Sequence, residues 1–306
     1  MISTDVDRAV RVLRRGGLVA IPTETVYGLA ADADDPLAVR RIFSVKARPL
    51  DHPLIVHVHR PAELDRWAVD ISPDATTLAT TCWPGPLTVV VHRAPRVIDG
   101  VTGGRDSVAV RVPAHPMTLE LIERFGGGLA APSANRFGAV SPTTAEHVLA
   151  DIGTLLDPAR DMILDGGATK VGLESTIVDC TVDPPQVLRP GGIPDEHIAA
   201  IIGRSLAPTT GPSRASGMLE SHYAPRCRVR TVARRADADA IASTARAGAV
   251  EVLDLTDDLV AYAHELYARL RDADARHVEV VVAVLPPPSG LGHAIRDRLL
   301  KAAAAR

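Results

Sequence analysis

The 306-residue sequence predicts an α/β protein in two parts, an N-terminal twisted mixed sheet flanked by helices around a large cleft and a small C-terminal three-layer α/β unit. Three observations carry this. Strand-sized apolar runs alternate with amphipathic stretches opened by Asp-Pro, Ser-Pro or His-Pro pairs. Two links, from Leu87–His92 to Val108–Pro113 and from Ser175–Thr181 to Gln186–Arg189, are too short for helical crossovers, so the sheet is mixed. Periodicity breaks between Gly203 and Pro225, where Pro208, Gly211, Pro212, Ser213, Ser216 and Gly217 read as a linker. The expected division is 1–203, 204–225 and 226–306.

Asp5 caps a first helix with Val6, Ala9, Val10 and Leu13 on one face, stopped by Gly16-Gly17. Gly17–Thr23 reads as a buried strand that delivers Thr23-Glu24-Thr25-Val26-Tyr27-Gly28. Asp35-Pro36 opens a helix with Val39, Ile42, Phe43 and Val45 as its apolar stripe, ending at Lys46. Strands follow at 53–58, 87–92, 108–113, 129–134, 162–165, 175–181 and 186–189, with helices opening near Ser72-Pro73, His115-Pro116, Ser141-Pro142 and Ile193-Pro194. Beyond the linker, strands at 227–233, 250–255 and 277–285 alternate with helices near 237–247, 258–271 and 291–304.

Composition narrows the function. With 46% hydrophobic and 23% charged residues the chain is of globular type, and its longest apolar run, Val278–Leu285, is strand-sized, so no membrane span is expected. Met1–Asp5 lacks the basic and apolar regions of a signal peptide, and the cytoplasm is the expected location. Cys82, Cys180 and Cys227 form no CxxC pair and suggest neither a disulfide framework nor a zinc site. A net charge of −3 and 3% aromatics argue against broad nucleic-acid binding, leaving at most a weak, local RNA contact.

Familiar catalytic signatures are missing. The chain has no GxxxxGK(S/T) loop, no GxGxxG after a strand and no GxSxG elbow. His264-Glu265 lacks a zincin's second histidine, Ala268 standing in its place, and His57 and His59 alternate to opposite sides of a strand. What remains is a set of polar groups near predicted strand ends: Thr23-Glu24-Thr25, Lys46 with Arg48, Arg111, Ser133 with Asn135, Glu174-Ser175-Thr176 and Arg189. Singly, Arg111 or Arg189 could pair with a buried carboxylate, and Ser133 and Asn135 could simply form a turn. Together they describe an anion site. Ser141-Pro142, or Thr143 with Glu146 as a capping box, starts a helix whose free N–H groups favour phosphate, and Lys46, Arg48 and Arg189 make triphosphate the sharper expectation.

Several motifs occur in order: Ile21-Pro-Thr-Glu-Thr-Val-Tyr-Gly-Leu29, Lys46-Ala-Arg48 with Pro53-Leu-Ile-Val-His57, Trp83-Pro-Gly-Pro-Leu-Thr88, Val110-Arg-Val-Pro-Ala-His-Pro116, Ala131-Pro-Ser-Ala-Asn135, Ser141-Pro-Thr-Thr-Ala145, Gly172-Leu-Glu-Ser-Thr-Ile-Val-Asp179 and Leu188-Arg-Pro-Gly-Gly-Ile193. With Ser221-His-Tyr-Ala-Pro225, and less distinctively Ser289–Leu299, they make the chain resemble the YrdC-like family in its two-domain, threonylcarbamoyl-AMP synthase form. The resemblance implies a YrdC-like catalytic domain and a Rossmann-like C-terminal one. It implies a nucleotidyltransferase that joins L-threonine, bicarbonate and ATP, with Mg2+, into threonylcarbamoyladenylate and pyrophosphate, the adenylate passing to a tRNA threonylcarbamoyl-transfer complex. By motif position Lys46, Arg48, His52, Ser107, Ser133, Asn135, Ser141, Arg189 and Tyr223 would contact ATP, with Lys46 and Arg48 catalytic. Thr25, His57, Arg111, Ala131 and Ser175 would contact threonine, and no protein metal ligand is implied.

Two departures stand out: Ala47 where the family often has glycine, tolerable if φ stays negative, and Ser216 for a common proline. The short second domain puts a gating role in question. Other readings are a carbamoyltransferase-type YrdC-like protein, disfavoured by the absence of extra large domains, and an RNA-binding module, disfavoured by net acidity.

Overall fold

The structure, a computed structural model, describes residues 1–209 and 222–304. Linker residues Gly211, Pro212, Ser213, Ser216, Gly217 and Ser221 lie outside the described residues. Strand β1 (Ile2–Ser3) leads into α1 (Val6–Arg14), where the Asp5 carboxylate accepts the Arg8 N–H and Val6, Ala9, Val10 and Leu13 are buried. Strands β2 (Val19–Ile21) and β3 (Gly28–Asp32) pair antiparallel around the 22–27 loop. The sequence reading has no β3, because Gly-Leu-Ala-Ala-Asp carries no β-branched or aromatic side chain and its strand character comes from pairing alone. Helix α2 (Pro36–Lys46) starts on the Asp35 cap and ends at Lys46 as expected. Ala47 then adopts the left-handed conformation, φ 51°, contrary to the expected negative φ. The reason is the C-cap geometry, in which the Ala47 N–H reaches back to the Phe43 and Ser44 carbonyls.

The large domain continues through β4 (Ile55–His57), the single turn α3 (Leu64–Trp67), α4 (Pro73–Cys82), β5 (Leu87–His92) and the single turn α5 (Asp99–Thr102). Next come β6 (Ser107–Arg111), α6 (Pro116–Phe125), β7 (Leu129–Ala130), α7 (Ala145–Ile152), β8 (Met162–Leu164), β9 (Thr176–Asp179), β10 (Gln186–Arg189) and α8 (Asp195–Ile202). Helix α7 corrects the expected start at Ser141-Pro142 and the Thr143/Glu146 box. The cap is Thr144, whose hydroxyl accepts the His147 N–H, because the Ser141 hydroxyl is engaged elsewhere.

Ten strands form one mixed sheet in the order β1-β8-β2-β3-β7-β4-β6-β5-β9-β10. Its register explains how the polar residues converge. His57 opposes Arg111 on parallel β4 and β6, and Val90 opposes Ala109 on antiparallel β5 and β6. Ile177 opposes Thr88 on one side and Arg189 on the other. Opposed residues share a face and every second residue returns to it, so Ile55, His57, Arg111, Thr88, Ser175 and Arg189 project from one side of the sheet.

The small domain consists of β11 (Arg228–Val232), α9 (Arg235–Ser243), β12 (Val250–Leu253), α10 (Leu259–Ala275), β13 (Val280–Val284) and α11 (Leu291–Ala303). Its parallel sheet runs β11-β13-β12. Helices α10 and α11 face the large domain. Arg271 on α10 holds Asp151 with both terminal nitrogens, 3.0 and 2.6 Å, and also donates to the Val140 and Ser141 carbonyls. Among the described residues no helix is long and apolar enough to cross a membrane.

Candidate active site

A cleft lies over the polar face of the large sheet. Of the sequence-derived set, Thr25, Arg48, His57, Arg111, Ala131, Ser133, Ser175, Arg189 and Tyr223 line it, with Glu174, which the sequence names without a role, and His222, which it does not assign. Lys46, His52, Ser107, Asn135 and Ser141 do not line it.

One side is built within the large domain. The buried Arg111 guanidinium donates from Nε to the Gly85 carbonyl at 3.1 Å, to Thr25 Oγ1 at 3.0 Å and to Glu24 Oε1 at 2.6 Å. Glu24 Oε2 accepts the Ala114 N–H at 2.8 Å. Burial raises the Glu24 pKa, but Arg111 and these hydrogen bonds overcome it and hold the carboxyl below its ordinary 4.5. The Thr23 hydroxyl gives its single proton to the Val26 carbonyl at 2.6 Å, so in the 2.8 Å contact between the two threonines Thr25 is the donor. A directed chain therefore runs from Arg111 through Thr25 and Thr23 to backbone. His57 stands beside it, pushed down to about 3 by burial and by Arg111, hence neutral, with Nδ1 lacking any hydrogen-bond partner among the described residues.

The other side is assembled from separate pieces. Lys46 is buried and its ammonium donates to the Ser133 carbonyl at 2.5 Å and to the Asn135 carbonyl, so it shapes the 133–135 turn from behind the cleft. Burial and then Arg48 lower its pKa well below 10.5. Asn135 Nδ2 bonds the Arg136 and Ala139 carbonyls, both at 2.8 Å. Arg48 donates to the Pro53 carbonyl at 3.0 Å, lies 5.6 Å from the Phe137 ring centroid, and is pushed down to about 10 by burial and by Arg189. Arg189 thus sets positive charge beside Arg48 in a buried place, a field that favours an anion. Arg189 holds Ser175 through its carbonyl, 3.2 and 2.8 Å, and its hydroxyl, 3.1 Å, while that hydroxyl also meets Thr88 Oγ1 at 2.7 Å. Ser107 shares the sheet face two residues beyond Ala109, half-buried at the start of β6.

An aromatic row runs from His52 to α10, and two of its members, His222 and Tyr223, line the cleft. His52 meets Phe137 edge-on at 5.2 Å, Phe137 meets His222 at 6.0 Å, His222 meets Tyr223 at 4.1 Å, and Tyr223 stacks on Tyr267 of α10 at 5.7 Å. His222 Nδ1 and the Tyr223 hydroxyl are buried without a hydrogen-bond partner among the described residues. Beneath the row, Glu174 accepts from Ser141 Oγ at 2.5 Å, from the Tyr267 hydroxyl at 2.8 Å and from Arg298 Nε at 2.9 Å. Burial raises its pKa, yet Arg298, Arg189 and the Ser141 bond bring it down to about 2.

One cleft thus carries a buried arginine paired with a carboxylate and, three strands away, a second arginine close enough to Arg48 to lower its pKa. Comparison with known proteins gives the family. The Sua5, YciO and YrdC family model, described as "Telomere recombination", matches residues 11–191. The chain belongs to this family. A second model, described as the C-terminal domain of threonylcarbamoyl-AMP synthase, matches residues 193–304 of this Sua5-type chain. A threonylcarbamoyl-AMP synthase of Pyrococcus abyssi is 41% identical over 97% of the chain and 94% of that protein. One of Bacillus subtilis is 37% identical over 98% and 93%. The solved structure of P. abyssi Sua5 complexed with L-threonine superposes with a TM-score of 0.90 at 39% identity, covering 98% of this chain and 94% of the other.

The sequence places Glu24 and Glu174 in the converging polar set without giving them a role, and misses His222, Tyr267 and Arg298 as parts of the site. His222 sits inside a quoted motif and is within reach. Tyr267 and Arg298 carry no local signal, because each acts on a residue about a hundred positions away.

Proposed function

We propose that the chain is a threonylcarbamoyl-AMP synthase, converting L-threonine, bicarbonate and ATP to L-threonylcarbamoyladenylate and pyrophosphate for tRNA threonylcarbamoyladenosine formation in the cytoplasm. The observation that carries this is the juxtaposition, in one cleft of a Sua5-type fold, of the Arg111–Thr25–His57 pocket with the Arg48/Arg189 pair. Arg111 and Arg189 are three strands apart, roughly 14 Å at the usual strand spacing, which leaves room for two substrates.

In this reading threonine lies against Arg111, Thr25, His57, Ala131 and Ser175. Arg111 has five N–H donors, three of them engaged with protein, so two remain for a carboxylate. His57 Nδ1, neutral and unpaired, suits the amino acid's polar groups. ATP lies against Arg48, His52, Ser107, Ser133, Asn135, Ser141, Arg189 and Tyr223, with Lys46 adding positive charge from behind the 133–135 turn. Bicarbonate takes up a proton and loses water to give carbon dioxide, the neutral amine adds to that carbon and gives up a proton to form the carbamate, and the carbamate oxygen attacks the α-phosphate as the α–β phosphoanhydride bond breaks and pyrophosphate leaves. The side chains contribute position and positive charge rather than a covalent bond.

The residues present do not make a cage for Mg2+. Among the described residues no group of three or more His, Cys, Asp or Glu could hold a metal ion, and both carboxylates at the cleft are bound to arginine. No step is routed through a protein-held metal. Residues 1–203 form the catalytic unit, 204–225 the connection and 226–306 the small domain. The test is pyrophosphate release from ATP and bicarbonate across a panel of amino acids. Strict dependence on threonine is expected, and release that ignores the amino acid would overturn the reading.

A further inference from the structure

Glu174 poses an electrostatic problem that the large domain does not solve. A carboxylate lining a cleft that takes a polyphosphate sets like charge beside the ligand and competes for Arg189, whose field it already feels. The small domain answers it. Arg298 of α11 has no exposed side-chain surface and donates from Nε to Glu174 Oε2 at 2.9 Å and from a terminal nitrogen to the Pro190 carbonyl at 2.9 Å. Its other terminal nitrogen pairs with Asp297. The guanidinium carbon lies 4.9 Å from the centroid of the Tyr223 ring. One side chain thus touches Glu174, the residue after Arg189, and Tyr223, all parts of the nucleotide side. The Tyr267 hydroxyl, 2.8 Å from the same Glu174 oxygen, completes the grip.

We propose that Arg298, supported by Tyr267, is a positioning residue for the nucleotide half of the reaction: it neutralises Glu174 and turns that carboxylate to Ser141, so that Arg48 and Arg189 stay directed at the anionic substrate. The inference rests on the adenylate-forming reading above. It gives the small domain a specific task, completing one wall of the cleft. A pair that merely glued two domains together would act on stability and on both substrates alike. A positioning pair acts on ATP and only while Glu174 carries its charge.

The experiment uses the full chain with Arg298→Met and Glu174→Gln, singly and together, measuring kcat and both KM values by pyrophosphate release, ATP affinity by calorimetry, and melting curves. Arg298→Met is expected to raise the KM for ATP about tenfold, the size of one partly screened charge interaction, with the KM for threonine changed less than about twofold. In the Glu174→Gln background the same substitution is expected to shift the ATP KM less than about threefold. Equal changes in both KM values, loss of kcat that tracks melting, or the same penalty with and without Glu174 would overturn the proposal. Should Arg298→Met not fold, Arg298→Lys keeps the charge without the fork, and an ATP-selective rise of about threefold is then expected. A wild-type chain without threonine-dependent release would sink the adenylation reading instead, and calorimetric ATP affinity would still decide the role of Arg298.

Discussion

The two sides of the cleft are made differently. On the Arg111 side every partner of that arginine among the described residues comes from the large domain: Glu24, Thr25 and the Gly85 carbonyl. On the Arg48 side, the 133–135 turn depends on Lys46, and Glu174 depends on Arg298 and Tyr267 from the small domain. The first is a closed, directed chain of hydrogen bonds that is set before any ligand arrives. The second is pieced together across two domains, with two neighbouring arginines and the buried His222 and Tyr223, whose Nδ1 and hydroxyl have no hydrogen-bond partner among the described residues, and is the more adjustable of the two. The contrast teaches that one cleft can set a rigid pocket, braced within one domain, beside an adjustable one braced across two.

The sharpest way to break the contrast is to open the rigid side. Arg111→Ala leaves Glu24 buried and unpaired, so unfolding by denaturant should show a loss of about 3–5 kcal/mol. Threonine-dependent pyrophosphate release should fall about a thousandfold, since the carboxylate loses its anchor. A variant that kept native stability would mean that the Arg111–Glu24 pair is not the framework of this side.

Arg48→Ala is the matching change on the other side, and a smaller one, because Arg189 and Lys46 remain. Release of pyrophosphate should drop about a hundredfold. Threonine binding measured by calorimetry without ATP should be unaltered. Weakened threonine binding would erase the distinction between the two sides.

How much of this was legible beforehand depends on the range of each interaction. Asp35-Pro36 and Ser72-Pro73 announced their helices, since a cap and an N1 proline act within one turn. Arg111 was visible as an oddity in an apolar run, and the register shows why it belongs there: it lies on the face that carries His57 and Arg189. Strand ends were the expected meeting place, but a shared face is what joins these residues. Strand β3 escaped because small residues report no preference, and Ser141 was mistaken for a helix start because its hydroxyl serves Glu174. Arg298 looks like any basic residue on an amphipathic helix, and nothing within α11 says that it will be buried across a domain boundary.

Acid should distinguish the sides more gently. His57 is neutral and buried, with its pKa depressed from 6.5 to about 3, so the unfolded chain binds the extra proton first. Its contribution is complete above about pH 6.5 and is lost as the pH falls from there towards 3, with a slope of up to about 1.4 kcal/mol per pH unit. Glu174, depressed from 4.5 to about 2, acts in the same direction but over a lower window, beginning near pH 4.5. Between pH 6.5 and 4.5 the His57→Asn variant should therefore show a flatter stability profile by close to one proton, while Glu174→Gln should leave that stretch of the profile unchanged in slope. An unchanged slope for His57→Asn would place the acid sensitivity on other buried histidines, such as His222.

The smallest effect lies between the two basic residues of the adjustable side. Ala47 links Lys46 to Arg48 in the left-handed region at φ 51°, where a Cβ meets the following carbonyl and costs about 1–2 kcal/mol. Glycine would relieve this at the cost of a freer unfolded chain, so Ala47→Gly should raise stability by about 0.5–1 kcal/mol in denaturant unfolding. The turn is held by Lys46 from within, through the Ser133 and Asn135 carbonyls and the Phe137 N–H to the Lys46 carbonyl at 2.9 Å, so the direction of Arg48 should survive the change. Unaltered ATP affinity together with a modest gain in stability is the expected pair of results. A gain in stability with weaker ATP binding would mean that the strained alanine helps to aim Arg48, and that strain is part of how the adjustable side is held ready.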